Sequence, residues 1–341
     1  MAQACSRAHV FAAAVTAEPI PSDDSRLIDA IPDLNAAPPE NRMKIFRREV
    51  SIKRRALSSC MGLKEFIAQW RPNVVLRDST ELAAWAVCES LGIPHISVEV
   101  GLYWSEADYT NAASEELRKL RSKVGLRDCP NPAEGLYRFL HLSNSPPGFL
   151  PADVVLPIKT EKFRPAFFDE YGNAGGPDLR NIKSPCVYVA FGTLYKTPEE
   201  MVTEMVRFLA SRFETVLLCG DYSIDHSGVK IARYIPQSSI MNECSLVVCH
   251  GGRSTVLTAL ARAVPVVCLP LGSDHFFVGR RIADLGLGAS CEWSVKKLAS
   301  ATSDRKLNRY SKAAHNYSAA ILEMRNVVDC AEIVEEVVRS S

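Results

Sequence analysis

The chain predicts an α/β protein built from two doubly wound domains, and three observations carry that expectation. From Pro185 onward, short β-rich runs alternate with helical patterns in regular order. The apolar runs are continuous in Val and Leu rather than alternating, as expected of parallel strands covered on both faces. At 341 residues, with 47% apolar and 23% charged residues, the chain is long enough for two proper cores.

In the second half the strands are expected at Val187–Phe191, Thr215–Cys219, Lys230–Ile235, Leu246–Cys249 and Val264–Leu269, with a further one near Ala289. Between them, apolar residues at helical spacing predict helices over Pro198–Arg212, from Ser254 to Ala263, and over Phe276–Asp284. In such sheets ligands bind outside the carboxyl ends of the strands, so the turns after Phe191, Cys219, Ile235, Cys249 and Leu269 should gather around one site. The first half is less regular. A strand is expected over Ala8–Val15, a long helical stretch over Glu40–Trp70, a strand over Asn73–Leu76, a helix over Ser79–Leu91 and a strand over His95–Val98. The boundaries follow: an N-terminal domain over 1–168, a Gly/Pro-rich linker over 169–184, a second domain over 185–303, and a helical segment over 304–341 that packs back across the two.

With 40 basic and 39 acidic residues there is no global bias toward nucleic acid or an anionic membrane, and none is expected as a partner. No apolar run reaches the roughly 20 residues that span a bilayer, and no signal-peptide pattern opens the chain; a cytoplasmic location is expected. The 11 cysteines are scattered, without a Cys-x-x-Cys pair. They read as small apolar residues of a reducing compartment, and no metal site is expected. The basic run Lys44–Arg55, with Ile45, Phe46, Val50 and Ile52 interleaved, reads as a solvated helix face with its apolar side on the core, ahead of a membrane-docking surface.

One segment declares chemistry. His250-Gly251-Gly252-Arg253-Ser254-Thr255 joins an apolar strand to a helix. Two glycines let the backbone turn sharply and approach a ligand, and Ser254 or Thr255 can cap the helix. The unpaired N–H groups at that helix start favour an anion, and His250 adds a side-chain donor. This is the pattern of a diphosphate cradle.

The stretch from Tyr188 to Trp293 resembles the donor-binding half of the nucleotide-sugar-dependent glycosyltransferases of GT-B type, especially bacterial natural-product enzymes akin to UDP-glycosyltransferases. The resemblance rests on His250, Gly251, Gly252, Ser254, Thr255, Pro265, Pro270 and Asp274 in order and spacing, with Phe191-Gly192-Thr193 and Tyr234-Ile235-Pro236-Gln237 upstream. In the first half Asp78, Leu91-Gly-Ile-Pro94 and Arg164-Pro165 match more loosely. The family implies two Rossmann-like domains and metal-independent sugar transfer from a UDP- or TDP-linked sugar, a co-substrate rather than a cofactor, to a small hydroxylated natural-product acceptor. It implies diphosphate contacts from Gly192, Thr193, His250, Gly251, Gly252, Ser254 and Thr255, base contacts from Ile235 and Gln237, and sugar contacts from Asp274 and His275. Asp78 matches the aspartate that steadies the family's N-terminal catalytic histidine. The residues leave the oligomeric state open, a homodimer among the options.

The chain also departs from the pattern. The family's opening strand, Gly/His loop and first helix are not visible ahead of about Arg7, so the N-terminal domain is expected to be incomplete and His9 to be a strand-entry residue rather than the base. Thr258 stands where an acidic residue usually holds the ribose, Ala263 in place of the glycine of Gly-x-Pro, and His275 in place of a glutamine. An active transferase is therefore set against an alternative: a catalytically defective homologue that binds nucleotide-sugar and serves as a partner or regulatory protein. Plainer roles compete at single residues. Asp78 could cap the helix after it, Asp274 the helix from Phe276, and His275 could be an exposed turn residue. Glu81, Tyr103, Trp104 and Tyr109 could line an acceptor pocket or simply pack.

Overall fold

The computed structural model describes residues 37–166, 181–192, 197–272 and 274–340. The strand expected over Ala8–Val15, His9 and most of the 169–184 linker lie outside the described residues. The chain divides into two compact units. One takes the chain up to Ser145, with Ala152–Arg164 and Met324–Ser341; the other takes Pro146–Pro151 and Pro165–Glu323.

In the first unit, α1 (Pro39–Phe46) leads into a ten-residue π-helix (Arg47–Ala56) and then α2 (Leu57–Trp70). The single helical stretch expected over Glu40–Trp70 is thus three segments. The N–H of Leu57 reaches back five residues to the Ile52 carbonyl, the wider ladder of a π-helix. That winding turns Val50, Ile52 and Ala56 into the core, together with Arg47 and Ser51. The basic run therefore has the core-facing apolar side anticipated for it.

Next come β1 (Val75–Asp78), α3 (Leu82–Leu91), β2 (His95–Val98), α4 (Glu106–Val124), β3 (Leu140–Ser143) and β4 (Thr160–Lys162). The four strands pair in parallel in the order β1-β2-β3-β4, Val98 standing opposite Asp78 on one side and Leu142 on the other. β1 starts two residues later than expected. Asp78 does not cap α3: that helix begins at Leu82, and the carboxylate of Glu81 accepts from the Ala83 N–H at 2.9 Å. Asp78 instead closes a local turn, accepting from the Thr80 N–H at 2.6 Å.

A buried polar cluster ties β2 to β3. Glu99, 1% exposed, accepts from the hydroxyls of Ser143 and Ser145, the latter at 2.6 Å, and lies 3.6 Å from Nε2 of the wholly buried His141. Nδ1 of His141 meets Ser97 Oγ at 3.2 Å. Replacing Glu99 by Ala removes the buried acceptor of two hydroxyls and the carboxylate beside His141, so Glu99→Ala should lower stability by about 3 kcal/mol in urea titration. Glu99→Gln, which keeps an acceptor, should lose markedly less.

The second unit contains β5 (Cys186–Ala190), α5 (Glu199–Ala210), β6 (Thr215–Cys219), β7 (Val229–Ala232), the short α6 (Gln237–Ile240), β8 (Leu246–Cys249), α7 (Arg253–Ala261), β9 (Val266–Cys268), α8 (His275–Asp284), β10 (Gly288–Ser290), α9 (Val295–Ala301) and α10 (Asp304–Leu322). The remaining helix, α11 (Cys330–Ser340), belongs to the first unit. The six strands are all parallel in the order β10-β9-β8-β5-β6-β7.

Val187, Val189, Val248 and Leu218 face one core and Tyr188, Val247, Cys249 and Leu217 the other, which is why the strand sequences are apolar throughout. Cys249 and Cys268 are buried beside them as small apolar residues. Prolines trim the expected strands: β7 stops at Ala232 short of Pro236, and β9 starts after Pro265. Ala263, where the glycine of the pattern would sit, has φ of 60°, a conformation that burdens any side chain. Among the described residues no helix is long and apolar enough to cross a membrane.

Candidate functional site

In the second unit β5 lies at the centre of the sheet, with the chain running outward through β6 and β7 on one side and β8 to β10 on the other. The order reverses between β5 and β8, and a crevice outside their carboxyl ends is the general ligand position of an open α/β sheet. Ala190 ends β5 directly opposite Cys249, the end of β8. His250 follows, its N–H reaching the Ala190 carbonyl at 3.4 Å and its ring Nδ1 the same oxygen at 3.3 Å. A carbonyl can only accept, so Nδ1 carries the proton and Nε2 faces away from β5 with its lone pair.

Glycines make room for that ring. Gly192 has φ of 76°, and a Cβ built on it would stand 2.9 Å from Cε1 and Nε2 of His250. A Cβ on Gly252 would fall inside contact distance of the same Nε2. Both glycines of the turn therefore do more than bend the chain: Gly252 borders the imidazole, and Gly251, with φ of 94°, admits the start of α8 against the turn. Gly252→Ala should keep the fold, because the obstacle is one ring, yet swing that ring off Ala190 and so weaken about tenfold the binding of any ligand that the ring contacts. Calorimetry beside a melting curve separates the two effects.

α7 starts at Arg253, with Gly252 at the N-cap and no side-chain cap. This corrects the expected cap by Ser254 or Thr255, since both lie inside the first turn. Ser254 is exposed there. Thr255 is buried, its hydroxyl accepting from the amide of Gln237 at 3.1 Å, and the same amide donates to the Tyr188 hydroxyl at 3.2 Å. The Gln237 amide, expected to read a base, is thus engaged in joining α6 to β5 and α7. The Ile235 side chain is 1% exposed and packs in the core, which leaves its backbone for any contact. Thr258 is buried and returns its hydroxyl to the Ser254 carbonyl at 2.8 Å, so it stands in no acidic residue's place as a ligand. Thr193 lies outside the described residues.

Asp274 occupies the N-cap position of α8 without a side-chain cap, which corrects its expected capping role. His275 is not an exposed turn residue. It opens α8 at 5% exposure, its Nδ1 accepts from the Gly272 N–H at 3.2 Å, and its ring meets that of His250 edge to face, 4.4 Å between centroids and 81° between planes. Burial, and then the neighbouring His250, push its pKa down to about 3; burial lowers that of His250 as well, opposed by the Ala190 carbonyl. Arg253, the first residue of α7, is 9% exposed. Its guanidinium lies 5.8 Å over the Phe149 ring, and its signal in the sequence is a cation in a helix's first turn, where the dipole opposes it.

In the first unit Asp78 is exposed at the end of β1. Tyr103, Trp104 and Tyr109 are buried; the rings of the last two meet tilted, 5.4 Å between centroids, under the guanidinium of Arg47, and Tyr103 lies against Tyr137 and His141. Of the two roles the sequence leaves open, packing is the one these aromatics take, and Glu81 serves as the cap of α3. Among the described residues no group of three or more His, Cys, Asp or Glu is placed to hold a metal ion.

Residues 222–339 match the erythromycin biosynthesis protein CIII-like C-terminal domain family. The L-demethylnoviosyl transferase of Streptomyces niveus is 25% identical over 252 residues, 70% of this chain and 63% of that protein, so the chain spans less than two thirds of that relative. Among solved structures, the Streptomyces sp. SF2575 glycosyltransferase SsfS6 complexed with thymidine diphosphate aligns with a TM-score of 0.68 at 22% identity, covering 94% of this chain and 80% of that one. The glycosyltransferase VinC in complex with DTDP aligns with a TM-score of 0.71 at 19% identity, covering 99% and 90%. The two parallel-sheet α/β units are those of the GT-B fold.

Proposed function

We propose that the chain, which is similar to natural-product glycosyltransferases and shares the GT-B fold, moves a sugar from a nucleoside-diphosphate-sugar to a small hydroxylated acceptor. The observation that carries the reading is the β8–α7 turn: an uncapped helix start, two glycines and an imidazole, all at the strand-order reversal of the second unit. When the bond from the sugar carbon to the diphosphate oxygen breaks, the electron pair stays on the departing phosphate. Donors already aimed at that oxygen stabilise the charge without reorganising; the N–H groups of α7 supply them, and His250 joins them once its Nε2 takes up a proton. Gly192 and Gly251 let the backbone come close, and Ser254, exposed in the first turn, adds a hydroxyl. In this reading Asp274 serves the sugar, the backbone at Ile235 the base, and the protein needs no metal for the transfer.

The acceptor hydroxyl must lose its proton as the new bond forms. Asp78, at the carboxyl end of β1, is the described residue assigned to that side of the chemistry, as the partner of a base. A UDP- or TDP-linked donor fits the relatives, two of which were solved with thymidine diphosphate. The test is direct: purified protein incubated with UDP- and TDP-sugars and a panel of phenols and macrolide aglycones should release nucleoside diphosphate and give acceptor masses raised by one sugar. Donor binding without any transfer across the panel would overturn the transferase reading.

A further inference from the structure

His275 stands where the resembled family carries a glutamine, and its surroundings give it another task. Its Nδ1 accepts from a backbone N–H, which can only donate, so the proton of its neutral form sits on Nε2. Charging the ring would place an N–H against the Gly272 N–H. It would also bring a cation, on a ring that is itself buried, edge to face with His250, 4.4 Å away. His250 is under no such bar. Its Nδ1 proton is spent on Ala190, and Nε2 can accept a second proton beside Gly192 and Gly252.

Among the described residues, three elements face His250. α8 presents His275, β5 presents the Ala190 carbonyl and Gly192 after it, and the β8–α7 turn presents Gly252. Gly251 admits the contact, since a Cβ there would stand 3.0 Å from the His275 carbonyl oxygen.

We infer that His275 is a positioning residue for His250 rather than a sugar ligand: it holds that ring edge-on and stays neutral, so the pair meets a diphosphate by taking up one proton, on His250. Neutral His250 offers the anion a lone pair and imidazolium offers it an N–H, so the bound state must hold the extra proton. The inference rests on the reading of the β8–α7 turn as a diphosphate site. The sign follows from linkage. The complex binds more protons than the free protein, so affinity falls as pH rises above the free pKa of His250, approaching about tenfold per pH unit until the pKa of the complex is reached. Burial, which lowers the free pKa, widens that window downward.

The probe is UDP-glucose, whose fully substituted diphosphate has no group titrating near neutrality, with UDP beside it. Calorimetry of the wild type in buffers of differing ionisation enthalpy, from pH 6.5 to 8.5, should show proton uptake that approaches one. His275→Gln, which retains a side-chain acceptor for Gly272, should lose affinity for UDP and UDP-glucose by the same factor, and should cost little further in a His250→Ala background. Proton uptake near zero throughout, or a loss confined to UDP-glucose and additive with His250→Ala, overturns the inference while leaving the donor site standing. No binding of either nucleotide by the wild type overturns the donor reading itself and this inference with it. The wild-type proton measurement decides the question even if the variant fails to fold.

Discussion

His250→Ala is expected to bind nucleoside diphosphate about 10- to 150-fold more weakly than the wild type, the factor that corresponds to a charged hydrogen bond of about 1.5–3 kcal/mol. Turnover should fall further, by about 10²- to 10³-fold, because the charge on the leaving phosphate grows toward the transition state. The fold should survive. His250 is only partly buried, and its one described side-chain hydrogen bond goes to an Ala190 carbonyl that the β8–β5 connection already occupies through the His250 N–H. Initial-rate kinetics with saturating acceptor, set beside a thermal melt, separate the loss of chemistry from any loss of structure. An unchanged turnover would mean that the leaving phosphate is stabilised elsewhere.

Gly288→Ala should be the most damaging single methyl in the second unit. Gly288 pairs with Val266 at the start of β10, and a Cβ there would fall on the Val266 carbonyl oxygen, with Ile282 Cγ2 3.0 Å away on the other side. A side chain could rotate out of the way, but a backbone carbonyl in a three-residue ladder can move only by breaking the ladder. The cost should be about 3 kcal/mol, or a fall of about 6–12 °C in the melting temperature of that unit. α8 packs on β9 and β10 and carries His275 at its start, so nucleotide affinity should weaken along with stability. Differential scanning calorimetry with and without UDP reads both effects.

The parts of the fold that could be read from the sequence are those where burial is uniform. β5, β6 and β8 are continuous Val and Leu runs because both of their faces meet apolar layers, and a run of that kind leaves little else to be. β3 and β4 escaped notice for the opposite reason. β3 carries His141 and Ser143, buried polar residues whose hydrogen-bond partners, Ser97 on β2 and Glu99 just after it, lie across the strand pair, while β4 is Thr-Glu-Lys on the sheet edge. α4 was overlooked among charged residues, although Ser105 and Asp108 form a complete capping box at its start.

At the site, the cradle residues were legible because glycine and histidine leave a mark at fixed spacing. What they do to one another was not. The packing of Gly192 against the imidazole, and the inward turn of His275, depend on segments distant in sequence meeting at the carboxyl ends of the strands. Ser254 and Thr255 suggested a capped helix by residue type, yet Gly252 holds the N-cap position of α7 and no side chain caps it among the described residues.

The central claim is that the β8–α7 turn holds a diphosphate. It is tested most directly by nuclear magnetic resonance of protein labelled at the histidine rings and titrated with UDP or TDP, the resonances being assigned through His250→Ala and His275→Gln. The expected result is saturable movement of the His250 ring signals toward the imidazolium position, with a smaller shift at His275 and none at His141, buried in the other unit. Saturable nucleotide binding that leaves the His250 signals unmoved would contradict it.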